Sequence, residues 1–164
     1  MSPLEIREAT DGDRACIARL LHGSWGSTIV VSRGRVHDAA ELPALLALDD
    51  GSLRGLATLS IDGGECELVS LDALDRRQGV GSTLLAAVAD WARARGCGRL
   101  WLVTTNDNLD AIRFYQRRGW RLVAVHPDAI ERSRELKPSI PLVGEYGIPI
   151  RDELEFELAV DRER

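Results

Sequence analysis

The feature that most constrains the fold is a short glycine-containing segment between a strand-like run and a strongly helical run. The segment is Arg76-Arg77-Gln78-Gly79-Val80-Gly81-Ser82. Residues 65–71 before it alternate in polarity without proline or glycine, which predicts a strand. Residues 80–92 after it repeat apolar side chains every three or four positions, which predicts an amphipathic helix. Glycines at a helix start leave backbone N–H groups uncovered at the positive end of the helix dipole. The segment therefore predicts a site for phosphate or pyrophosphate.

Two common nucleotide-binding motifs do not match this segment. A P-loop ends in Gly-Lys-Ser/Thr, and the only lysine of the chain is Lys137. The dinucleotide fingerprint needs a third glycine at the position of Leu84. The remaining pattern, Arg76-x-x-Gly79-x-Gly81, resembles the acyl-CoA pyrophosphate loop of the GNAT family of N-acetyltransferases.

A second motif of the same family follows at the expected distance. Residues 99–105 predict a buried strand, and the turn Asn106-Asp107-Asn108 after it can cap a helix. The segment Asn108-x-x-Ala111-x-x-Phe114-Tyr115-x-x-x-Gly119-Trp120 resembles the family pattern Asn-x-x-Ala-x-x-Phe-Tyr-x-x-x-Gly-Phe/Trp. Both motifs occur in order within residues 68–125, so the chain is identified as a member of the family.

Composition and charge agree with a soluble enzyme of this kind. The chain of 164 residues is 45% hydrophobic and 29% charged, which is ordinary for one globular domain. Its net charge of −5 argues against nucleic-acid and membrane partners. Its three cysteines are odd in number and irregularly spaced, so we expect no disulfide framework and no metal site. We expect a reducing cytoplasm.

The hydrophobic pattern predicts an α/β (α+β) fold along the whole chain. The predicted strands are 5–9, 43–48, 53–61, 65–71, 99–105, 120–125 and 153–160, with an extended stretch at 28–32; the predicted helices are 11–22, 80–95, 109–118 and 127–136. The resemblance implies a single acetyltransferase domain over residues 1–164. Its mixed, mostly antiparallel sheet is flanked by helices and splays between the family's fourth and fifth strands, which correspond to 65–71 and 99–105.

The resemblance also implies the cofactor site. Acetyl-CoA would be the cosubstrate, and its pantetheine would pair with the backbone of Val69 and Leu71. The pyrophosphate would sit on the N–H groups of residues 78–82 with Arg76 or Arg77 nearby. The full set of expected cofactor-binding residues is Val69, Leu71, Arg76, Arg77, Gln78, Gly79, Val80, Gly81, Ser82 and Asn108.

Tyr115 and two glutamates are the expected catalytic residues. The family uses a tyrosine at the position of Tyr115 to protonate the coenzyme A sulfur, with Phe114 in the core. The alternative is that Phe114 and Tyr115 are simply an aromatic core pair. A general base is needed because an alkylamine is protonated at neutral pH. Glu65 and Glu67 are the candidates, expected on the same face as Val69 and Leu71, unless they only form a solvated face.

The roles of three further carboxylates and of one insertion remain open. Asp72, Asp107 and Glu145 are lesser base candidates. Residues 126–152 lengthen the connection before the last strand with a helix and an apolar, proline-containing loop. The loop is expected to pack on the acceptor mouth as a lid or on a second subunit, which would make the protein a homodimer.

The resemblance implies an acetyl-CoA-dependent N-acetyltransferase. We expect direct transfer in a ternary complex, because no cysteine lies within either motif, and a small primary amine as acceptor. A non-catalytic acyl-CoA-binding or regulatory module of the same fold is the alternative. A nucleotide-binding domain for NAD or ATP is the third class.

Overall fold

The structure is a computed structural model that describes residues 3–74 and 79–160. In chain order the elements are β1 (Glu5–Glu8), α1 (Arg14–Trp25), β2 (Ile29–Ser32), β3 (Arg35–Asp38), β4 (Ala44–Asp49), β5 (Ser52–Asp62), β6 (Glu65–Ala73), α2 (Val80–Ala94), β7 (Arg99–Thr105), α3 (Leu109–Gln116), β8 (Arg121–His126), α4 (Ala129–Leu136) and β9 (Glu153–Ala159). The expected mixed α/β fold with mostly antiparallel strands is confirmed.

The chain divides into two compact units. The first contains residues Met1–Val30, Asp38–Leu100 and Val160–Arg164, and the second contains Val31–His37 and Trp101–Ala159. The expected splay between segments 65–71 and 99–105 stays a prediction. So does the single domain over residues 1–164.

In the first unit, neighbouring strands follow the order β1-β4-β5-β6, and each pair is antiparallel. Two-residue turns connect β4 to β5 and β5 to β6, and all four turn residues, Asp50-Gly51 and Gly63-Gly64, have positive φ. Turns of this kind match the twist of antiparallel strands, which is why Asp-Gly and Gly-Gly are favoured in them. The two turns lie where the sequence predicts them.

The two helices of the first unit cover opposite faces of β5. Ile17 and Leu21 of α1 are fully buried in a cluster that includes Leu56. Gly55, the preceding residue, points to the other face, where an added Cβ would lie 2.6 Å from Val80 Cγ1 and 2.8 Å from Leu84 Cδ1. The absence of a side chain at Gly55 therefore lets the first turns of α2 pack directly on the sheet.

In the second unit, neighbouring strands follow the order β7-β9-β8, with β8 antiparallel to β9. β2 and β3 form a separate two-stranded sheet. Its turn is held by Arg33, whose backbone N–H donates to the buried Glu153 carboxylate of β9 at 3.1 Å. Among the described residues no helix is both long and apolar enough to cross a membrane.

Three details differ from the sequence-based predictions. β3 was not expected, because its four residues are too few to show a clear period. The segment expected as helix 11–22 begins as a 3₁₀ turn at Asp11–Asp13 and continues as α1 to Trp25, past Gly23. α3 ends at Gln116, two residues before its expected end.

We expect Gly55→Ala to destabilise the protein by about 2 kcal/mol, because overpacking at a tight contact forces neighbouring atoms to shift. Its Cβ would also lie 2.8 Å from the Asp72 carbonyl oxygen, which is backbone and cannot rotate away. In thermal unfolding this corresponds to a Tm lower by roughly 4–8 °C.

Gly23→Ala is the matched control. Gly23 lies within α1, and an added Cβ would meet nothing within 4 Å, so alanine should raise stability by up to about 1 kcal/mol. Equal Tm values for Gly55→Ala and the unmodified protein would contradict the close packing of α2 on β5.

Candidate functional site

The start of α2 has the geometry of an anion site. Gly79 caps the helix with φ 70° and ψ 17°, a left-handed conformation that glycine adopts without strain. Among the described residues, none has an atom within 4 Å of the position that a Gly79 side chain would occupy. The backbone N–H groups of Val80 and Gly81 open the helix, and the first N–H groups of a helix have no acceptor within it. These features fit a pyrophosphate at the positive end of the helix dipole.

The predicted phosphate-binding segment is described only from Gly79 onward. Arg76, Arg77 and Gln78 lie outside the described residues, so their roles stay predictions. Thr83 adds a further restraint that was not expected, since its backbone N–H and its hydroxyl both donate to the Gly79 carbonyl at 3.0 Å. That carbonyl is thereby turned along the helix, away from the N–H groups that face an anion.

A β-bulge in β6 changes which side chains share a face. Leu68 pairs with Leu59 of β5, but the next residue of β5, Thr58, pairs with Ser70. Val69 is therefore an extra residue on β6 with no partner of its own in this register. Beyond the bulge, every side chain of β6 points to the face opposite to the one that simple alternation predicts.

The expectation that Glu65 and Glu67 share a face with Val69 and Leu71 is therefore wrong. Glu65 and Glu67 pair with Asp62 and Ser60, whereas Leu71 pairs with Ala57, which points to the other side of β5. The bulge is the physical reason, because one inserted residue shifts the alternation by one position.

The bulge instead gathers four polar side chains of β6 on one face. They are Glu65, Glu67, Ser70 and Asp72, paired in turn with Asp62, Ser60, Thr58 and Leu56 of β5. Leu56 belongs to the α1 cluster, so this is the α1 face of the sheet. The hydroxyls of Ser70 and Thr58 lie 2.5 Å apart and are both buried.

The two glutamates predicted as bases differ in environment. Glu65 has a side chain that is 49% exposed and forms an ion pair with Arg99 Nη1 at 3.5 Å. Glu67 is only 4% exposed. A carboxylate removed from water is the better candidate for proton transfer, because its environment rather than solvent governs its basicity.

Asp72, a lesser candidate, is buried and hydrogen-bonded to an indole. It is 8% exposed, and its Oδ2 accepts a hydrogen bond from Trp25 Nε1 at 3.1 Å. Burial raises the pKa of the Asp72 carboxyl, and hydrogen bonds from Trp25 and Ser24 partly oppose that rise. The contact with Trp25 was not predicted, because an isolated tryptophan 47 residues away carries no signal of its partner.

In the second unit, Asn108 joins β7 to α3. Its Oδ1 accepts from the Ala111 backbone N–H at 3.2 Å, and its Nδ2 lies 3.2 Å from Thr104 Oγ1. The predicted helix cap is confirmed. Both ends of the Asn108 amide are therefore engaged within the protein. The expected role of Asn108 in cofactor binding stays a prediction.

Tyr115 is buried among aromatic rings, with 8% of its surface exposed. Its ring centroid lies 5.2 Å from Phe114, 5.5 Å from Trp120 and 6.4 Å from Phe156. Phe114, expected in the core, is only partly buried, with the Arg118 guanidinium 3.7 Å from its ring centroid. The packing fixes the direction of the Tyr115 phenol, while its role as an acid stays a prediction.

Asp107, another lesser base candidate, is used to hold residues 137–152, which we name the strap. Its buried carboxylate accepts from Thr105 Oγ1 at 2.5 Å and from the Glu145 backbone N–H at 3.0 Å. A side chain on Gly144 would collide with this carboxylate. Asp107 therefore has a structural role in the described residues.

Asn106 and Arg134 complete the attachment of the strap. Asn106 was expected only as part of the capping turn, and Arg134 was not singled out from the sequence. Asn106 Oδ1 accepts from the backbone N–H groups of Arg151 and Asp152 at 2.9 and 3.0 Å. Arg134 donates to the carbonyls of Pro141 and Ile150 at 2.7 and 2.8 Å. The apolar loop thus packs on the turn between β7 and α3 of its own chain.

The strap exposes one tyrosine beside α3. Tyr146 has φ 56°, and its hydroxyl donates to Asp110 Oδ1 at 2.8 Å. This hydrogen bond raises the pKa of the Tyr146 phenol. Whether the strap, with Glu145 and Tyr146, also acts as a lid or an interface stays a prediction.

Comparisons with known proteins agree with the fold and the motifs. The uncharacterized protein YdhI of Bacillus subtilis (strain 168) is 42% identical over 138 residues, 84% of this chain and 86% of that protein. Streptothricin acetyltransferase of Streptomyces lavendulae is 40% identical over 75 residues, 43% of this chain and 40% of that protein. A solved GNAT family acetyltransferase from Elizabethkingia anophelis with acetyl-CoA bound has a TM-score of 0.69 at 18% identity, covering 95% of this chain and 97% of that chain. The model of the acetyltransferase (GNAT) family matches residues 18–120, more than half of the sequence. The chain therefore belongs to the GNAT family of acetyltransferases.

Proposed function

We propose that this protein transfers the acetyl group of acetyl-CoA directly to the amino group of a small primary amine within a ternary complex. The observation that carries the proposal is the start of α2, where Gly79 leaves a turn of backbone N–H groups open to an anion. The relatives named as acetyltransferases and the acetyl-CoA-bound neighbour support acetyl-CoA as the cosubstrate.

The chain's own residues would divide the cofactor's binding between them. The N–H groups of Val80, Gly81 and Ser82 would bind the pyrophosphate, with Arg76 or Arg77 neutralising its charge. Val69 supports a second contact. It is the extra residue in the register with β5 and lies outside that regular ladder, so its backbone would pair with the pantetheine of the cofactor.

Glu67 is the proposed general base. It would take a proton from the acceptor's ammonium, and the neutral nitrogen would then attack the thioester carbonyl. The new C–N bond forms as the C–S bond breaks, and the Tyr115 hydroxyl would supply a proton to the departing sulfur. The second proton, which the nitrogen loses as it becomes an amide, would then restore the Tyr115 phenol. Glu67 is favoured over Glu65 because the Glu65 side chain is half exposed, whereas Glu67 is 4% exposed.

The cysteines support direct transfer rather than an acyl-enzyme. Cys66, next to Glu67 on β6, is fully buried, and burial raises the pKa of its thiol to about 12. A thiol that stays protonated at neutral pH is a poor nucleophile. The expectations of no metal and of a cytoplasmic location stay predictions.

A non-catalytic acyl-CoA-binding module remains the alternative. Such a module needs the Gly79 cap but neither Tyr115 nor Glu67. Thiol release from acetyl-CoA in the presence of a panel of primary amines separates the two functions. Release that depends on the amine supports the enzyme, and acetyl-CoA binding without any release contradicts it.

We expect Glu67→Gln to lower kcat by about 10²–10⁴-fold, the usual contribution of a general base. The loss should shrink as pH rises toward the pKa of the free amine at about 10.4, because the acceptor then supplies its own neutral form. Initial rates of thiol release between pH 7 and pH 10 measure this recovery.

Glu65→Gln is the matched comparison. If the large loss and its recovery follow Glu65 instead, the base is misassigned.

We expect Tyr115→Phe to lower kcat while the Kd of acetyl-CoA changes little, because the ring packing is kept and only the proton donor is removed. The drop should lie within about 10²–10⁴-fold. Turnover equal to that of the unmodified enzyme would exclude Tyr115 as the acid and leave the ring as core packing.

A further inference from the structure

Asp72 is a buried carboxylate whose direct partners among the described residues are neutral. The Trp25 indole N–H donates to its Oδ2 at 3.1 Å, and the Ser24 hydroxyl also bonds to it. Within residues 3–74 and 79–160, no arginine, lysine or histidine forms an ion pair with Asp72. A carboxylate that is 92% removed from water and held only by neutral donors gains more from a cation than an exposed one does.

Trp25 offers a second attraction for the same cation. It is the last residue of α1, and Gly26 closes the helix behind it with φ 74°. The indole stays 54% exposed although its N–H is fixed on Asp72. A cation near an indole ring face is attracted by the ring quadrupole, and a fixed ring binds it at little entropic cost.

We propose that Asp72 and Trp25 anchor a second cationic group of the acceptor, so that the preferred substrates are diamines or polyamines rather than monoamines. This inference rests on the proposed acetyl transfer. The nitrogen that attacks must lose its charge, whereas the Asp72–Trp25 pair stabilises a nitrogen that keeps it.

The register of β6 separates the two nitrogens. Glu67 pairs with Ser60 and Asp72 pairs with Leu56, so the two carboxylates lie on one face and four residues apart along β5. This spacing is about 13 Å between backbone positions, too far for both to hold a single ammonium group. Glu67 would contact the reacting amine, and Asp72 would contact the anchored amine. The net charge of −5 further favours a dicationic ligand.

The test compares 1,5-diaminopentane with n-pentylamine, which differ only in the second amino group. Binding to the full chain is measured by titration calorimetry, with and without saturating coenzyme A. The unmodified protein should bind the diamine at least ten-fold more tightly. Asp72→Asn, which keeps an acceptor for the Trp25 N–H, should reduce that preference to less than about two-fold.

Two variants keep the result interpretable. Asp90→Asn removes one charge from an exposed position on α2 and should leave the ten-fold preference intact. Trp25→Leu removes the ring from an exposed position and should weaken binding of the diamine more than binding of the monoamine. This variant tests the site even if Asp72→Asn fails to fold. Equal affinity for the two amines in the unmodified protein, or a preference that survives in Asp72→Asn and Trp25→Leu, would overturn the proposal.

Thiol release from acetyl-CoA separates this outcome from failure of the proposed function. Release with equal kcat/KM for both amines means that acetyl transfer is right and the anchor is wrong. A diamine preference in binding without thiol release means that the anchor is right and acetyl transfer is wrong.

Discussion

The extra residue Val69 in β6 determines how the candidate site of the first unit is built. It shifts the pairing with β5 by one position, so Ser70 and Asp72 point to the same face as Glu65 and Glu67. The same bulge leaves one stretch of strand backbone outside the regular ladder. Without it, Asp72 would point toward α2 and could not accept the Trp25 hydrogen bond. The proposed base and the proposed anchor therefore share a face because of one insertion in the register.

The sequence predicted most elements to within two residues because their periodicity and caps are local. β7 was predicted with its observed ends. The start of α2 and the Asn108 cap were predicted because glycine and asparagine are favoured where a helix begins. The bulge could not be predicted, because Val69 looks like any strand residue and register depends on the partner strand. The partners of Asp72 and Asp107 were also missed. Their contacts join distant segments, and no local pattern records them.

Three carboxylates of the described residues differ in what holds them. Asp107 is bound by a hydroxyl and a backbone N–H, and it fixes the strap to the turn before α3. Glu65 is paired with an arginine at the surface. Asp72 is also buried and held by neutral donors among the described residues, but one of them is the indole of Trp25, a residue that stays 54% exposed. That exposed ring beside a buried carboxylate, rather than the number of acidic residues, singles out where a cationic acceptor would be recognised.

The central claim is that the start of α2 binds the pyrophosphate of acetyl-CoA. Thermal unfolding with acetyl-CoA, NAD or ATP tests it most directly. A ligand at about 100 times its Kd adds about 2.7 kcal/mol to stability, which should raise the Tm by roughly 5–10 °C for a protein of this size. We predict this rise in Tm with acetyl-CoA and no rise with NAD or ATP at the same concentration. No shift with saturating acetyl-CoA, or an equal shift with NAD or ATP, would contradict it.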